Sequence, residues 1–206
     1  MRMKIIMDEE TENELTERSY YLGVSLTSII LLHFVLYSSS SAVKREDFSM
    51  FSIEGKRSIQ MDIKEYVINK YDEKTRFNNS LYLLMSLHLK KVVETTKNEW
   101  GDWRAKKKSE MFFSTYSIDR EILERMKKIK KETGLTFTVL ANYAALQNVD
   151  EQLSLFASEK DKKSQGLQLA RPEITEHIAK ECDRRKISPG NLLAKKLEKT
   201  LFSLDF

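Results

Sequence analysis

The chain holds one cysteine, two prolines, six glycines and three histidines in 206 residues. A lone Cys182 cannot build an intramolecular disulfide, which suits a reducing cytoplasm. It falls on the apolar face of a helical pattern, so its expected role is packing. Scarce glycine and proline argue against an all-β architecture with many tight turns. His33, His88 and His177 stand apart, with no cysteine or carboxylate at ligand spacing, so no metal site is expected. The longest uncharged run, Tyr20 to Tyr37, only reaches the lower length limit for a spanning helix. It is broken by Gly23 and Ser25 and follows the acidic stretch Asp8-Glu9-Glu10, the wrong flank for a secretory signal. The expectation is a cytoplasmic chain that does not enter a membrane. There is no P-loop, dinucleotide fingerprint or hydrolase elbow, so neither an enzyme nor a cofactor is expected.

What is present begins with charge. Charged residues make up 32% and apolar ones 41%, a balance that folds around a core. The net charge of +4 and pI near 8.9 fit a polyanionic partner without demanding one. The run Lys127-Lys128-Ile129-Lys130-Lys131 reads as a solvated helix face.

One local grammar occurs four times: GVSLTSIILLHF at Gly23, RFNNSLYLLMSL at Arg76, GLTFTVLANYAA at Gly134 and KISPGNLLAKKL at Lys186. In each, an apolar residue precedes a helix-capping residue, and an amphipathic helix follows. The caps read as Ser25, Asn78, Thr136 and Ser188. Val24 with Ile29, Phe77 with Tyr82, Leu135 with Leu140, and Ile187 with Leu192 form hydrophobic staples around them. Pro189 stands at the first helical position of the fourth copy, where its missing N–H costs nothing. The caps lie about 53, 58 and 52 residues apart, and the longer middle spacing suggests a duplicated two-unit block.

Another helix precedes each cap. Its face is carried by Leu15 and Leu22, by Val67, Tyr71 and Thr75, by Ile122, Met126 and Ile129, and by Ile174, Ile178 and Cys182. Before each of these comes a short extended segment: Met3–Met7 with Asp8 as cap, Lys56–Met61 with Asp62, Phe113–Ile118 with Asp119, and Gly166–Ala170 before Arg171-Pro172. Three polar connectors, Ser38 to Gly55, Lys97 to Glu110 and Ser158 to Gln165, read as flexible linkers. Trp100 and Trp103 are expected to pack the middle one, whose WGDWRAKKK stretch could alternatively touch phosphates.

A strand with two short helices cannot bury enough apolar surface alone, and its strand edge needs a partner. Strand, capped helix, then G-[apolar]-[S/T]-x-[S/T], as in Gly23-Val24-Ser25-Leu26-Thr27 and Gly134-Leu135-Thr136-Phe137-Thr138, resembles the ribbon-helix-helix DNA-binding superfamily of Arc, MetJ and CopG type. Arg76 and Lys186 depart from it by replacing the helix-ending glycine, so those turns are expected to close without a left-handed residue.

The resemblance implies a mainly α fold with short β-strands, four strand-helix-helix units forming two pseudo-dimeric modules. Residues 1–96 would form the first (repeats about 2–37 and 56–95), 97–110 a linker, and 111–206 the second (repeats about 111–150 and 166–203). It implies double-stranded DNA as partner, read in the major groove by antiparallel ribbons. Alternation places Arg2, Lys4 and Ile6 outward in the first strand, and Lys56, Ser58 and Gln60 in the second. In the third it places Phe113, Thr115 and Ser117 outward, and Gln168 in the fourth. Arg2, Lys4, Lys56, Ser58, Gln60, Thr115, Ser117 and Gln168 are the expected base contacts. Ser25, Thr27, Asn78, Ser80, Thr136, Thr138 and Ser188, at helix amino ends, are the expected phosphate contacts. The role implied is a transcriptional repressor or plasmid and mobile-element regulator. Alternatives are a relaxosome or partition accessory factor, or the same fold as a protein-interaction module. The chain would act as a monomer with two pseudo-dimers or as a homodimer.

Overall fold

The structure, a computed structural model, describes all residues except 39–42, 44, 73–79, 102, 150–161, 172 and 205–206. It is mainly helical, with two short antiparallel two-stranded sheets. The elements run β1 (Arg2–Met7), α1 (Glu9–Tyr21), α2 (Leu26–Leu36), α3 (Arg45–Met50), β2 (Arg57–Asp62), α4 (Glu65–Asp72), α5 (Leu81–Thr95) and α6 (Lys97–Trp100). They continue β3 (Glu110–Asp119), α7 (Arg120–Thr133), α8 (Phe137–Leu146), β4 (Lys162–Arg171), α9 (Glu173–Arg185) and α10 (Pro189–Phe202). The chain divides into two compact units: Met1–Tyr20 with Ser25–Lys106 and Glu132–Gly134, and Tyr21–Val24 with Lys107–Lys131 and Leu135–Phe206. Strands β1 and β2 pair in the first unit, β3 and β4 in the second.

Local chemistry sets most element ends. Ser25, Thr136 and Ser188 cap α2, α8 and α10, each side chain accepting an N–H three residues on. Asp8 Oδ1 accepts the Thr11 N–H at 2.9 Å at the start of α1. Asp62, by contrast, belongs to β2 rather than capping a helix, and α4 opens after Lys64, whose carbonyl accepts the Val67 and Ile68 N–H groups. The cap of α5 is Ser80, two residues beyond Asn78. Asn78, with Thr75, Arg76 and Phe77, lies outside the described residues. With Ser80 as reference the caps are 55, 56 and 52 residues apart, which removes the distinction behind a duplicated two-unit block.

The shift also aligns the cores better. Counting from each cap, the fifth residues Ile30, Met85, Ala141 and Leu193 and the ninth residues Phe34, Leu89, Ala145 and Leu197 are all buried. Tyr82, expected as the staple partner of Phe77, is only half-buried.

The turn into α10 differs from expectation too. Lys186 takes φ 57°, the left-handed conformation that Gly23 (65°) and Gly134 (88°) take before α2 and α8. The Ile187 N–H reaches back to the Cys182 carbonyl at 3.3 Å and closes the turn. The connectors are less plain than their polarity suggests. Two carry helices, α3 and α6, and β4 begins at Lys162, inside the third. Trp100 of α6 is fully buried.

Each unit encloses a charged cluster. In the first, Arg18 of α1 is fully buried. Its guanidinium pairs with Glu14 at 2.8 Å and donates to His33 Nε2 at 2.8 Å, Thr96 Oγ1 at 3.1 Å and the Val93 carbonyl at 3.3 Å. Arginine can only donate, so His33 Nε2 must accept, and Nδ1–H donates to the Ile29 carbonyl at 2.8 Å. Trp100 lies against both, its ring 5.0 Å from the guanidinium and stacked 5.1 Å from the imidazole. Burial, and then the Arg18 charge, hold the His33 pKa down at about 3.

In the second unit Lys196 of α10 is fully buried against Glu181 of α9 at 2.6 Å and the Gln147 carbonyl at 2.5 Å. Arg185 completes the set, 2.9 Å from Glu181 and 2.6 Å from the Val149 carbonyl. Burial works to raise the Glu181 pKa, but Lys196 and Arg185 hold it below its ordinary value. His33 and Lys196 occupy the same place, eight residues after their caps.

The uncharged run from Tyr20 to Tyr37 is broken: α1 and α2 meet at 99°. Among the described residues no single helix is long and apolar enough to cross a membrane.

Candidate nucleic-acid interface

The first ribbon is six residues deep, with Lys4 opposite Gln60, Arg2 opposite Asp62 and Ile6 opposite Ser58. Alternation turns Met3, Ile5, Met7 and Met61 into the core and leaves Arg2, Lys4, Ser58 and Gln60 exposed on the other face. Three expectations change. Ile6 is buried although it shares the parity of Arg2 and Lys4, so the exposed face stops short of it. Lys56 precedes β2 and is half-buried, with its amine 3.5 Å from the centre of the Phe51 ring. Burial there lowers its pKa. Asp62, read as a cap, instead adds an exposed carboxylate to this face.

The outer edge of β1 is closed by a side chain. Ser86 Oγ on α5 accepts the Ile6 N–H at 2.9 Å. Below the ribbon, Lys90 pairs with Asp8 at 2.8 Å. Burial alone would raise the Asp8 pKa, but bonds from Lys90 and Thr11 outweigh it and hold the value at about 2.

The second ribbon is longer, ten residues on each strand. Phe113 faces Gln168, Thr115 faces Gly166 and Ser117 faces Ser164. Phe113, Thr115, Ser117, Ser164 and Gln168 are exposed, while Leu167, Leu169 and Ile118 are buried. Ser164 escaped the sequence reading because Lys162-Lys163-Ser164-Gln165 looks like linker. Its alternation with Gly166 and Gln168 was the available signal. Asn142 of α8 clasps the edge of β4, accepting the Ala170 N–H and donating to the Gln168 carbonyl, both at 2.8 Å.

The helix amino ends sit as follows. Ser25 Oγ is exposed and within 2.9 Å of Thr27 Oγ1. Ser80 is exposed and makes no side-chain capping bond. Thr136 is exposed beside half-buried Thr138. In the second unit, base and phosphate candidates converge. Thr115 and Ser117 of β3 and Ser188 at the start of α10 line one cavity of about 660 Å³, with Ser114, Gly190 and Asn191. This brings β3 next to the start of α10, where Pro189 has no N–H and the Asn191 N–H is held by Ser188 Oγ.

No family model, curated protein or solved structure matches this chain. Among the described residues no group of three His, Cys, Asp or Glu side chains could hold a metal ion. On the opposite side of the charge balance, Asp8, Glu9, Glu10, Glu14 and Glu17 line an open acidic recess with Lys97 and Arg104. A polyanion is disfavoured at that recess.

Proposed function

We propose that this chain binds double-stranded DNA in a sequence-specific manner and acts as a transcriptional repressor or mobile-element regulator. In this reading its four strand-helix-helix units pair, first with second and third with fourth, as two ribbon-helix-helix modules. The observation that carries the reading is the exposed face of the first ribbon, where Lys4 and Gln60 stand opposite each other between Arg2 and Ser58. A two-stranded ribbon fits the major groove, and these side chains match base edges: Arg and Lys to guanine, Gln to adenine, Ser to either. Thr115, Ser117 and Gln168 serve the second ribbon in the same way. Free N–H groups at Ser25, Thr27, Ser80, Thr136, Thr138 and Ser188 take phosphates, which fixes position without reading sequence. None of this requires catalysis.

The test is an electrophoretic shift of the DNA upstream of the chain's own gene, at two salt concentrations, with wild-type protein and Lys4→Glu. The wild type is expected to retain the fragment, less so at the higher salt because displaced counterions oppose binding. Replacing a base-reading cation by a carboxylate is expected to weaken binding by about tenfold to hundredfold. If folded wild-type protein retained neither that fragment nor random duplex, the DNA reading would fall, and the ribbons would be protein-binding surfaces instead.

A further inference from the structure

The outward middle of the second ribbon carries no charge: Phe113, Thr115 and Ser117 from β3 lie against Gln168, Gly166 and Ser164 from β4. At its centre is a large apolar side chain in the open. Phe113 is 67% exposed. A lone exposed phenylalanine on a strand is a liability unless something uses it.

The glycine beside it explains how the ring is held. A Cβ on Gly166 would lie 2.0 Å from Phe113 Cζ, 2.7 Å from Cε2 and 3.0 Å from Cε1. The ring therefore lies diagonally across the ribbon, in the space that any other residue at 166 would fill. Glycine inside a strand costs about 0.5–1 kcal/mol relative to alanine, and its use is close approach of another group. The tip of the ring is seated over Gly166 of β4, while most of the side chain stays open to solvent. Next to it, directly opposite in register, stands the Gln168 amide.

We infer that this ribbon is a reader of A·T base pairs, with Phe113 as the contact for the thymine 5-methyl group and Gln168 as the contact for adenine. The inference rests on the DNA-binding reading above. The 5-methyl is the apolar group that base pairs offer in the major groove, and Gln pairs with adenine N7 and N6. Thr115, Ser117 and Ser164 supply uncharged hydroxyls around the ring. The first ribbon, with Arg2 and Lys4 for guanine beside Gln60 for adenine, suits a mixed sequence instead. One chain thus carries two ribbons of different base preference.

The experiment uses the full chain. A duplex is selected by the wild-type protein from a random-sequence pool, then remade with deoxyuridine in place of thymidine, which removes only the methyl groups. Affinity is expected to drop about fourfold for each methyl contacted, the change that burial of one methyl-sized group corresponds to. Phe113→Ala, at an exposed site, keeps the fold by circular dichroism but binds the two duplexes equally. Gly166→Ala displaces the ring and weakens the discrimination in the same direction. Equal wild-type affinity for both duplexes, or discrimination that survives Phe113→Ala, overturns the assignment of Phe113 while leaving DNA binding in place. Selection of no duplex at all overturns the DNA reading itself, and this assignment with it.

Discussion

A single side chain shows how far a position can depart from the residue its backbone favours. Lys186 holds a left-handed φ where Gly23 and Gly134 hold theirs. For a non-glycine residue that conformation costs roughly 1–2 kcal/mol. Glycine would remove the cost but add unfolded-state freedom worth about 0.5–1 kcal/mol. Lys186→Gly is therefore expected to stabilise the protein by about 0.5–1 kcal/mol, a rise of roughly 3–6 °C in Tm for a unit of this size. Thermal unfolding followed by circular dichroism measures it. A lower Tm would mean that the Lys186 side chain contributes something the turn geometry does not reveal.

Single elements decide what the sequence made legible. The starts of α2, α8 and α10 were readable because one Ser or Thr stood before each apolar stripe. The start of α5 was not, because Asn78, Asn79 and Ser80 are all capping types and local preference cannot choose among them. Spacing cannot choose either: counted from Asn78, Leu83 and Leu87 hold the places that Met85 and Leu89 hold counted from Ser80, and all four are apolar. Outward strand residues followed from alternation, except where a polar start disguised β4. Partners across the sequence were not readable at all. Arg18 and Lys196 look like solvated charges until Thr96, His33, Glu181 and the Gln147 carbonyl are brought to them. Asn142 is a similar case, a polar residue in an apolar stripe whose purpose is the edge of β4. Asn142→Leu keeps the volume but leaves the buried Ala170 N–H and the half-buried Gln168 carbonyl without that partner. Each such group costs about 1–3 kcal/mol, so a loss of about 2–4 kcal/mol is expected in denaturant unfolding. Faster hydrogen exchange at the Ala170 amide should accompany it. Unchanged stability would mean that the β4 edge finds another partner.

At the scale of the whole chain the two units answer differently to acid, because the first buries a neutral histidine in its charged cluster and the second does not. The first places neutral His33 against a buried arginine, and the second places Lys196 against Glu181. His33 has a folded pKa of about 3, far below its ordinary 6.5. The unfolded chain therefore takes up this proton first. The stability contributed by neutral His33 is complete above about pH 6.5 and is lost as pH falls toward 3, by about 1.4 kcal/mol per pH unit. Asp8 adds nothing in the upper part of that window. Its pKa is depressed to about 2, so its contribution fades only below about pH 4. His177 of the second unit is also shifted down, by burial and then by the Lys196 charge, but it is only half-buried. The chain has two tryptophans, Trp100 and Trp103, and both lie in the first unit. Tryptophan emission thus follows that unit alone. Its thermal midpoint is expected to drop steadily from pH 7 to pH 4.5. His33→Gln keeps an acceptor for Arg18 and loses the titrating group. The variant starts lower, having lost the stack on Trp100, but its midpoint should vary little over the same range. A wild-type midpoint that did not move with pH would show that Arg18 and His33 tolerate a shared proton. A variant that retained the full pH dependence would place the titrating group elsewhere in the unit.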